Sequence, residues 1–337
     1  MRPAGRRPLP AGRTHHPSPT EDLEDTDPMT ALPPTTTAPT RTRRPAAPSG
    51  GRRHRRAAIG FLTPFLLSFA LFYVLPIAYA VYQSFFKIER QGTFGVAHDV
   101  FGGLSQYTEV FSDSEFWHSL VRVAQFFVIS IPIQLGLALV FALLLDSPVL
   151  RGHRFFRLAL FAPYAVPGVI AALMWGFLFS PGTTPIPAFA DRFDLLGPDL
   201  VMFSIASVVN WIYTGYNMLI IYSALKAIPS EVIEAATVDG AGQVRIAWSI
   251  KIPHVTPALV LTGVFSIIGT LQLFNEPQIF RTISSAVSST YTPNMVVYAT
   301  SSIPNYHLAA AYSVVLAVIT CALSFTFLKV TQRRAFQ

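Results

Sequence analysis

The sequence predicts an all-α integral membrane protein of about six transmembrane helices, with one organised polar loop between the fourth and the fifth. Three observations carry that prediction. Hydrophobic residues make up 51% of the 337-residue chain and charged residues 13%, about half the charged share of an ordinary soluble chain. Apolar runs close to the ~20 residues needed to cross a bilayer recur from residue 58 onward. Between two of them lies Glu234 to Pro257, too polar to sit in lipid and too patterned for a simple connector.

Residues 1 to about 56 are rich in Pro, Thr, Arg and Ala, with an acidic clump at Glu21, Asp22, Glu24, Asp25 and Asp27. Without apolar periodicity this tail cannot bury enough surface to offset its chain entropy, so the sequence predicts a disordered segment ahead of a membrane domain over 57–334. Met29 is a second candidate start, and N-terminal sequencing that found residues ahead of it would exclude that reading.

The spans fall near 58–84, 120–145, 155–179, 200–225, 256–275 and 308–330. Pro64, Pro76, Pro132, Pro163 and Pro167 lie inside them, so kinks are expected. Orientation follows from loop arginine and lysine. Arg52, Arg53, Arg55, Arg56, Arg151, Arg154, Arg157, Lys226, Arg245, Lys251, Lys329, Arg333 and Arg334 fall on one side. Lys87, Arg90, Arg122, Arg192 and Arg281 fall on the other. Both termini and the Glu234 loop are therefore expected on the cytoplasmic side of the cell membrane. The formal charge of +7 reflects this topology rather than nucleic-acid binding, because no basic patch is interleaved with exposed aromatics. The lone Cys321 excludes an intrachain disulfide.

The loop, residues 229–257, reads as two short helices. Ser230 is placed to cap the first, with Glu231 and Glu234 near its positive end. Gly240 and Gly242 permit a positive-φ reversal. A second helix over about Gln243 to Ile250 groups Val244, Ala247, Trp248 and Lys251, and Pro253 is expected to end it. On pattern alone, an amphipathic connector lying on the membrane surface fits as well as a docking element.

Glu234-Ala235-Ala236, Asp239-Gly240-Ala241, Ile250 and Pro253 resemble the "EAA" loop of the permease subunits of binding-protein-dependent ABC importers. The resemblance runs over about 58–334, and departs from the pattern at Ala247, where an aromatic is common and Trp248 stands next to it. It implies a coupling helix that fits a cleft on cytoplasmic ATPase subunits, a second permease subunit forming a heterodimer, and an extracytoplasmic solute-binding protein. Thr63-Pro64-Phe65-Leu66-Leu67 with Leu75-Pro76, and Ala162-Pro163-Tyr164-Ala165-Val166-Pro167 with Trp175-Gly176-Phe177, are similar to the first and third spans of permeases for sugars and glycerol phosphate. ATP and Mg would be bound by the partner ATPase, since none of Lys87, Lys226, Lys251 and Lys329 sits in a G-x-x-x-x-G-K-[ST] phosphate cradle. No cofactor is expected in this chain.

Within the apolar runs, Asn210, Tyr213 and Asn217 share one face of the fourth span, and Gln272, Asn275 and Glu276 end the fifth. Polar groups are costly in hydrocarbon, so they are expected to face protein or a wet path. Amides suit sugar hydroxyls, and Tyr213 or Tyr164 suits the C–H face of a sugar ring. Tyr164, Tyr213, Asn217, Gln272 and Asn275 are thus the candidate substrate path, with interhelical hydrogen bonding as the alternative use. Glu276 is expected at the outer interface, and Gln134 in a structural role. No metal-spaced His/Cys/carboxylate cluster and no Ser/His/Asp constellation is legible, so an enzyme is disfavoured. The remaining alternatives are a glycerol phosphate or other polar-solute permease and an ion-driven secondary transporter, the latter opposed by the absence of paired, glycine-broken half-spans.

Overall fold

A computed structural model describes residues 51–90, 96–184, 192–303 and 305–335. The chain divides into two compact units, Met1–Phe61 and Leu62–Gln337. The tail expected to be disordered lies outside the described residues as far as residue 50, and so does Met29. Its last stretch is helical instead, because α1 (Gly51–Phe69) begins at Gly51.

Helix α1 passes through a π-turn, Ala70–Val74, into α2 (Leu75–Gln83). Pro76 explains the turn. Its ring lacks an N–H and crowds the carbonyl four residues back, so the ladder widens and the Leu75 N–H reaches the Ala70 carbonyl instead. Pro64 and Pro132 remain inside their helices without a π-turn there.

The segment expected as an outer loop is folded. Strands β1 (Phe86–Arg90) and β2 (Ala97–Phe101) pair antiparallel with Phe86 opposite Phe101, a small β exception to the all-α expectation. Helix α3 (Ser105–Ser112) follows, then α4 (Ser114–Leu145), capped where the Asp113 side chain accepts from the Glu115 N–H at 2.9 Å.

The third predicted span is broken. Helix α5 (His153–Phe161), a 3₁₀ turn over Ala162–Ala165 and α6 (Gly168–Phe179) bend by 97°. Pro167 forces Val166 into an extended conformation, which no helix can pass through. The bend brings the Leu160 carbonyl against α7 (Val201–Leu225) at Gly215, where an added Cβ would collide with it. Gly215→Ala is therefore expected to lower the thermal unfolding midpoint of the purified protein, with an overpacking cost of about 1–3 kcal/mol. An unchanged midpoint would contradict this packing.

After α7 come α8 (Ser230–Val238), α9 (Gln243–Ile246), a π-turn at Ala247–Lys251, α10 (Ile252–Leu271), α11 (Asn275–Phe280), α12 (Pro293–Ser302) and α13 (Tyr306–Ala335). Among the described residues, four helices are long and apolar enough to cross a membrane, or five if the bent pair is one span. Helix α7 is absent from that set although it is 25 residues long. Its Ser204, Asn210, Thr214 and Asn217 are buried against protein, where apolarity is not required.

Helices α4 and α7 run parallel, joined by polar rungs. Ser130 Oγ donates to Asn210 Oδ1 at 2.7 Å, and Asn217 Nδ2 donates to Gln134 Oε1 at 3.2 Å. Without a hydrophobic drive between helices in lipid, such bonds and small side chains hold the pair together. Ala138 and Ala142 pack there with Met218, Ile221 and Val255 at the loop end. Phe116, Val296, Ala311 and Tyr312 form a second cluster at the opposite end.

Candidate functional site

The reversal at the loop forms as its glycine spacing predicts, at one glycine rather than two. Gly240 has φ +81°, and Gly242 has φ −69°. The Ala241 N–H bonds the Ala236 carbonyl at 2.9 Å and the Gly240 N–H bonds that of Thr237 at 3.0 Å, the paired bonds that close a helix through a left-handed residue. At the other end of α8 the cap is Pro229, so Ser230 is the first helical residue and makes no cap. Pro253 does not end the second helix, because the π-turn over Ala247–Lys251 absorbs it and the chain continues into α10. The turn also rotates the faces. Val244 and Trp248 are exposed, Lys251 is buried, and the four residues expected together are split.

No residue of α8 is buried, so Glu234, Ala235, Ala236 and the Asp239-Gly240-Ala241 elbow are offered outward or half-covered. Ile250 is half-buried and Pro253 exposed. Val238 (88% exposed), Val244 and Trp248 are apolar side chains of the same loop left exposed. Ile246, fully buried, anchors the elbow to the bundle.

A carboxylate outside this loop also holds it. Asp146, just past α4, bonds Lys226 at the end of α7 at 2.7 Å and Lys251 at 2.6 Å. One side chain thus ties the chain entering the loop to the chain leaving it. Burial alone would raise the Asp146 carboxyl, but the two ammonium groups outweigh it and hold the pKa below its ordinary 3.8. The hydrogen bond to Asp146 holds the Lys226 ammonium above its ordinary value. Glu234, Gln243 and Ser230 line a cleft with these three residues.

The candidate path residues come together in one place. Tyr164, Tyr213, Asn217, Gln272 and Asn275 all line a cavity of about 320 Å³, at the small end of the range for small-molecule sites. The broken third span contributes Tyr164, α7 contributes Tyr213 and Asn217, the gap after α10 contributes Gln272, and the start of α11 contributes Asn275. Tyr164 stacks on Tyr216 with centroids 4.7 Å apart and 15° between planes, and meets Tyr213 edge-on at 6.0 Å. Ser266 Oγ donates to Gln134 at 2.9 Å, so Asn217, Ser266 and Gln134 form an interhelical set along one wall. Gln272 and Asn275 are exposed to the cavity.

The gap at Gln272–Phe274 leaves carbonyls that α12 and its cap satisfy. Asn294 Nδ2 donates to Leu271 at 3.3 Å and Thr292 Oγ1 to Leu273 at 2.9 Å. Asn210, which is not among the candidate path residues, is taken up by Ser130 in an interhelical bond and lies outside the cavity wall. One expectation is corrected here. Glu276 does not sit at an outer interface but is buried in that wall. Tyr216 and Ser266 were not singled out from the sequence. The spacing of Tyr216 three residues after Tyr213 was a usable signal, whereas Ser266 carried none.

Residues 126–336 match the family described as Binding-protein-dependent transport system inner membrane component, which is more than half of the chain. The chain belongs to that family. This permease is 29% identical to the sn-glycerol-3-phosphate transport system permease protein UgpA of Agrobacterium fabrum over 283 residues, covering 81% of the chain and 94% of that protein. It is 29% identical to the lactose transport system permease protein LacF of Rhizobium radiobacter over 235 residues, covering 67% of the chain and 79% of LacF. A chain from the crystal structure of a bacterial ABC transporter involved in the import of the acidic polysaccharide alginate superposes with a TM-score of 0.71 at 16% identity, over 84% of the permease and 97% of that chain. That likeness concerns the fold. The permease is thus an α-helical, multi-pass membrane protein of the ABC importer permease type.

Proposed function

We propose that this permease forms one half of the translocation path of an ATP-driven sugar importer and transmits the work of partner ATPase subunits to it. The observation that carries the reading is the convergence of the tyrosines with Asn217, Gln272 and Asn275 on one cavity. Amides beside stacked aromatic rings suit a hydroxyl-rich ring better than an ion or an apolar molecule. The similarity to permeases named for lactose and for sn-glycerol-3-phosphate supports the same reading, the phosphate ester being the nearest alternative cargo.

In this reading the elbow lies in the cytoplasm with both termini. Glu234, Ala235, Ala236, Asp239, Gly240 and Ala241 dock on an ATPase that binds ATP and Mg, with Ile250 and Pro253 carrying the motion into α10. A second, different permease completes the path, and an extracytoplasmic binding protein delivers the cargo.

Reconstitution tests the proposal. Labelled neutral mono- and oligosaccharides should enter proteoliposomes only with the ATPase, second permease and binding protein present. Uptake by this chain alone would sink the reading in favour of an ion-driven transporter. Asn217→Ala and Gln272→Ala should each reduce uptake about ten-fold or more while the ATPase still co-purifies. Uptake at the wild-type rate in both would remove the cavity from the path.

A further inference from the structure

Among the described residues, Glu276 is the one carboxylate in the cavity wall, and no Lys, Arg or His lines it. The side chain is more than nine-tenths buried, at 7% exposure. Among the described residues it forms no ion pair, and the hydrogen bond it accepts comes from its own backbone N–H. A buried carboxylate usually has a cation or several donors around it, so this one is left with free acceptor capacity facing the cavity.

Its place is held by the fold. Glu276 sits in the first turn of α11, just after the gap in the fifth span. Its Oε1 lies against Gly168, the first residue of α6, so closely that a Cβ there would be 2.9 Å from it. The amide dipoles opening the 12-residue α6 favour negative charge at that point. The missing side chain at Gly168 and the 97° break that ends the preceding turn both leave room for the carboxylate.

We propose that Glu276 makes this half of the path a charge filter that admits uncharged polyols and saccharides and turns away anionic ones. The proposal rests on reading the cavity as the passage. A hydroxyl can donate to the free carboxylate oxygens, while a phosphate or uronate in the same place meets an unscreened like charge with no cation to offset it. The names of the relatives point the other way, since sn-glycerol-3-phosphate and alginate are both anions. The residues lining this cavity separate the permease from those cargoes.

The test needs no knowledge of the cargo. With Cys321→Ser as background, Gln272→Cys places a single thiol in the cavity of the assembled transporter in membranes. Its rates of modification by cationic, neutral and anionic methanethiosulfonates are measured, each normalised to that reagent's rate with 2-mercaptoethanol. The anionic reagent should react about ten-fold or more slowly than the neutral one. Glu276→Gln should bring the two within about two-fold, and Glu276→Asp should keep the difference. Equal rates for anionic and neutral reagents, a ratio unaltered by Glu276→Gln, or no reaction with any reagent would each overturn the filter. Loss of uptake in Asn217→Ala with equal anionic and neutral rates would leave the sugar path standing and remove the filter alone.

Discussion

Gly240→Val is expected to reduce ATP-driven uptake more than ten-fold while leaving the chain inserted in the membrane and the ATPase active. At φ +81° a β-branched residue is strained by about 1–3 kcal/mol. Nothing lies within 4 Å of the position a Cβ would take, so no packing is lost elsewhere. The cost therefore falls on the reversal between α8 and α9 and on the two hydrogen bonds that close it. Gly240→Asn should retain most uptake, because asparagine tolerates the left-handed region. Gly242→Ala should be close to neutral, since Gly242 is in the ordinary extended region. Uptake and ATP hydrolysis measured together in proteoliposomes check all three. Wild-type uptake in Gly240→Val would end the assignment of the elbow as the coupling element.

Asp146→Asn should have the largest effect on stability. Removing the carboxylate strands the buried Lys251 ammonium, and breaking a buried pair from one side costs about 3–5 kcal/mol. Lys226 is half-exposed, so Lys226→Met should cost less than about 1 kcal/mol. Asp146→Asn with Lys251→Met should recover much of the loss, because the stranded charge is then gone. Thermal unfolding of the purified protein gives the ordering, and a double variant no more stable than Asp146→Asn would contradict it. The pH dependence has a definite sign. A carboxyl held below its ordinary value contributes stability that is present above 3.8 and fades as pH falls through its lowered pKa. An ammonium held above 10.5 contributes stability that is present below that value and fades as pH rises through its raised pKa. The gap between wild type and Asp146→Asn should therefore be flat from about pH 5 to about pH 9.

The legible parts of this molecule are those where one residue type has a single physical use. A polar side chain inside an apolar run must face protein or water, and Tyr213, Asn217, Gln272 and Asn275 line one cavity. Gly240 was readable because a reversal needs a positive φ, although nothing local distinguished it from Gly242. The prolines were harder. Pro167 reads as a kink and Pro253 as a stop, but the first breaks its span by 97° while the second is carried through by a π-turn. Neighbouring helices decide between those outcomes. Asp146 was out of reach for the same reason, since its two lysines are distant in sequence and meet it only once α4, α7 and α10 have packed. Glu276 was misplaced because a carboxylate near the end of an apolar run looks like an interface residue until Gly168 is set beside it.

The rungs between α4 and α7 also give α4 the character of a stiffened lever. Asp146 fixes one end of it to the coupling loop, and Gln134, bonded to Asn217 and Ser266 in the cavity wall, lies farther along the same helix. At about 1.5 Å per residue the two are about 18 Å apart. Each degree through which the loop end tilts α4 then displaces the Gln134 amide by about 0.3 Å, so a rotation of only a few degrees is enough to make or break a hydrogen bond to a molecule held there.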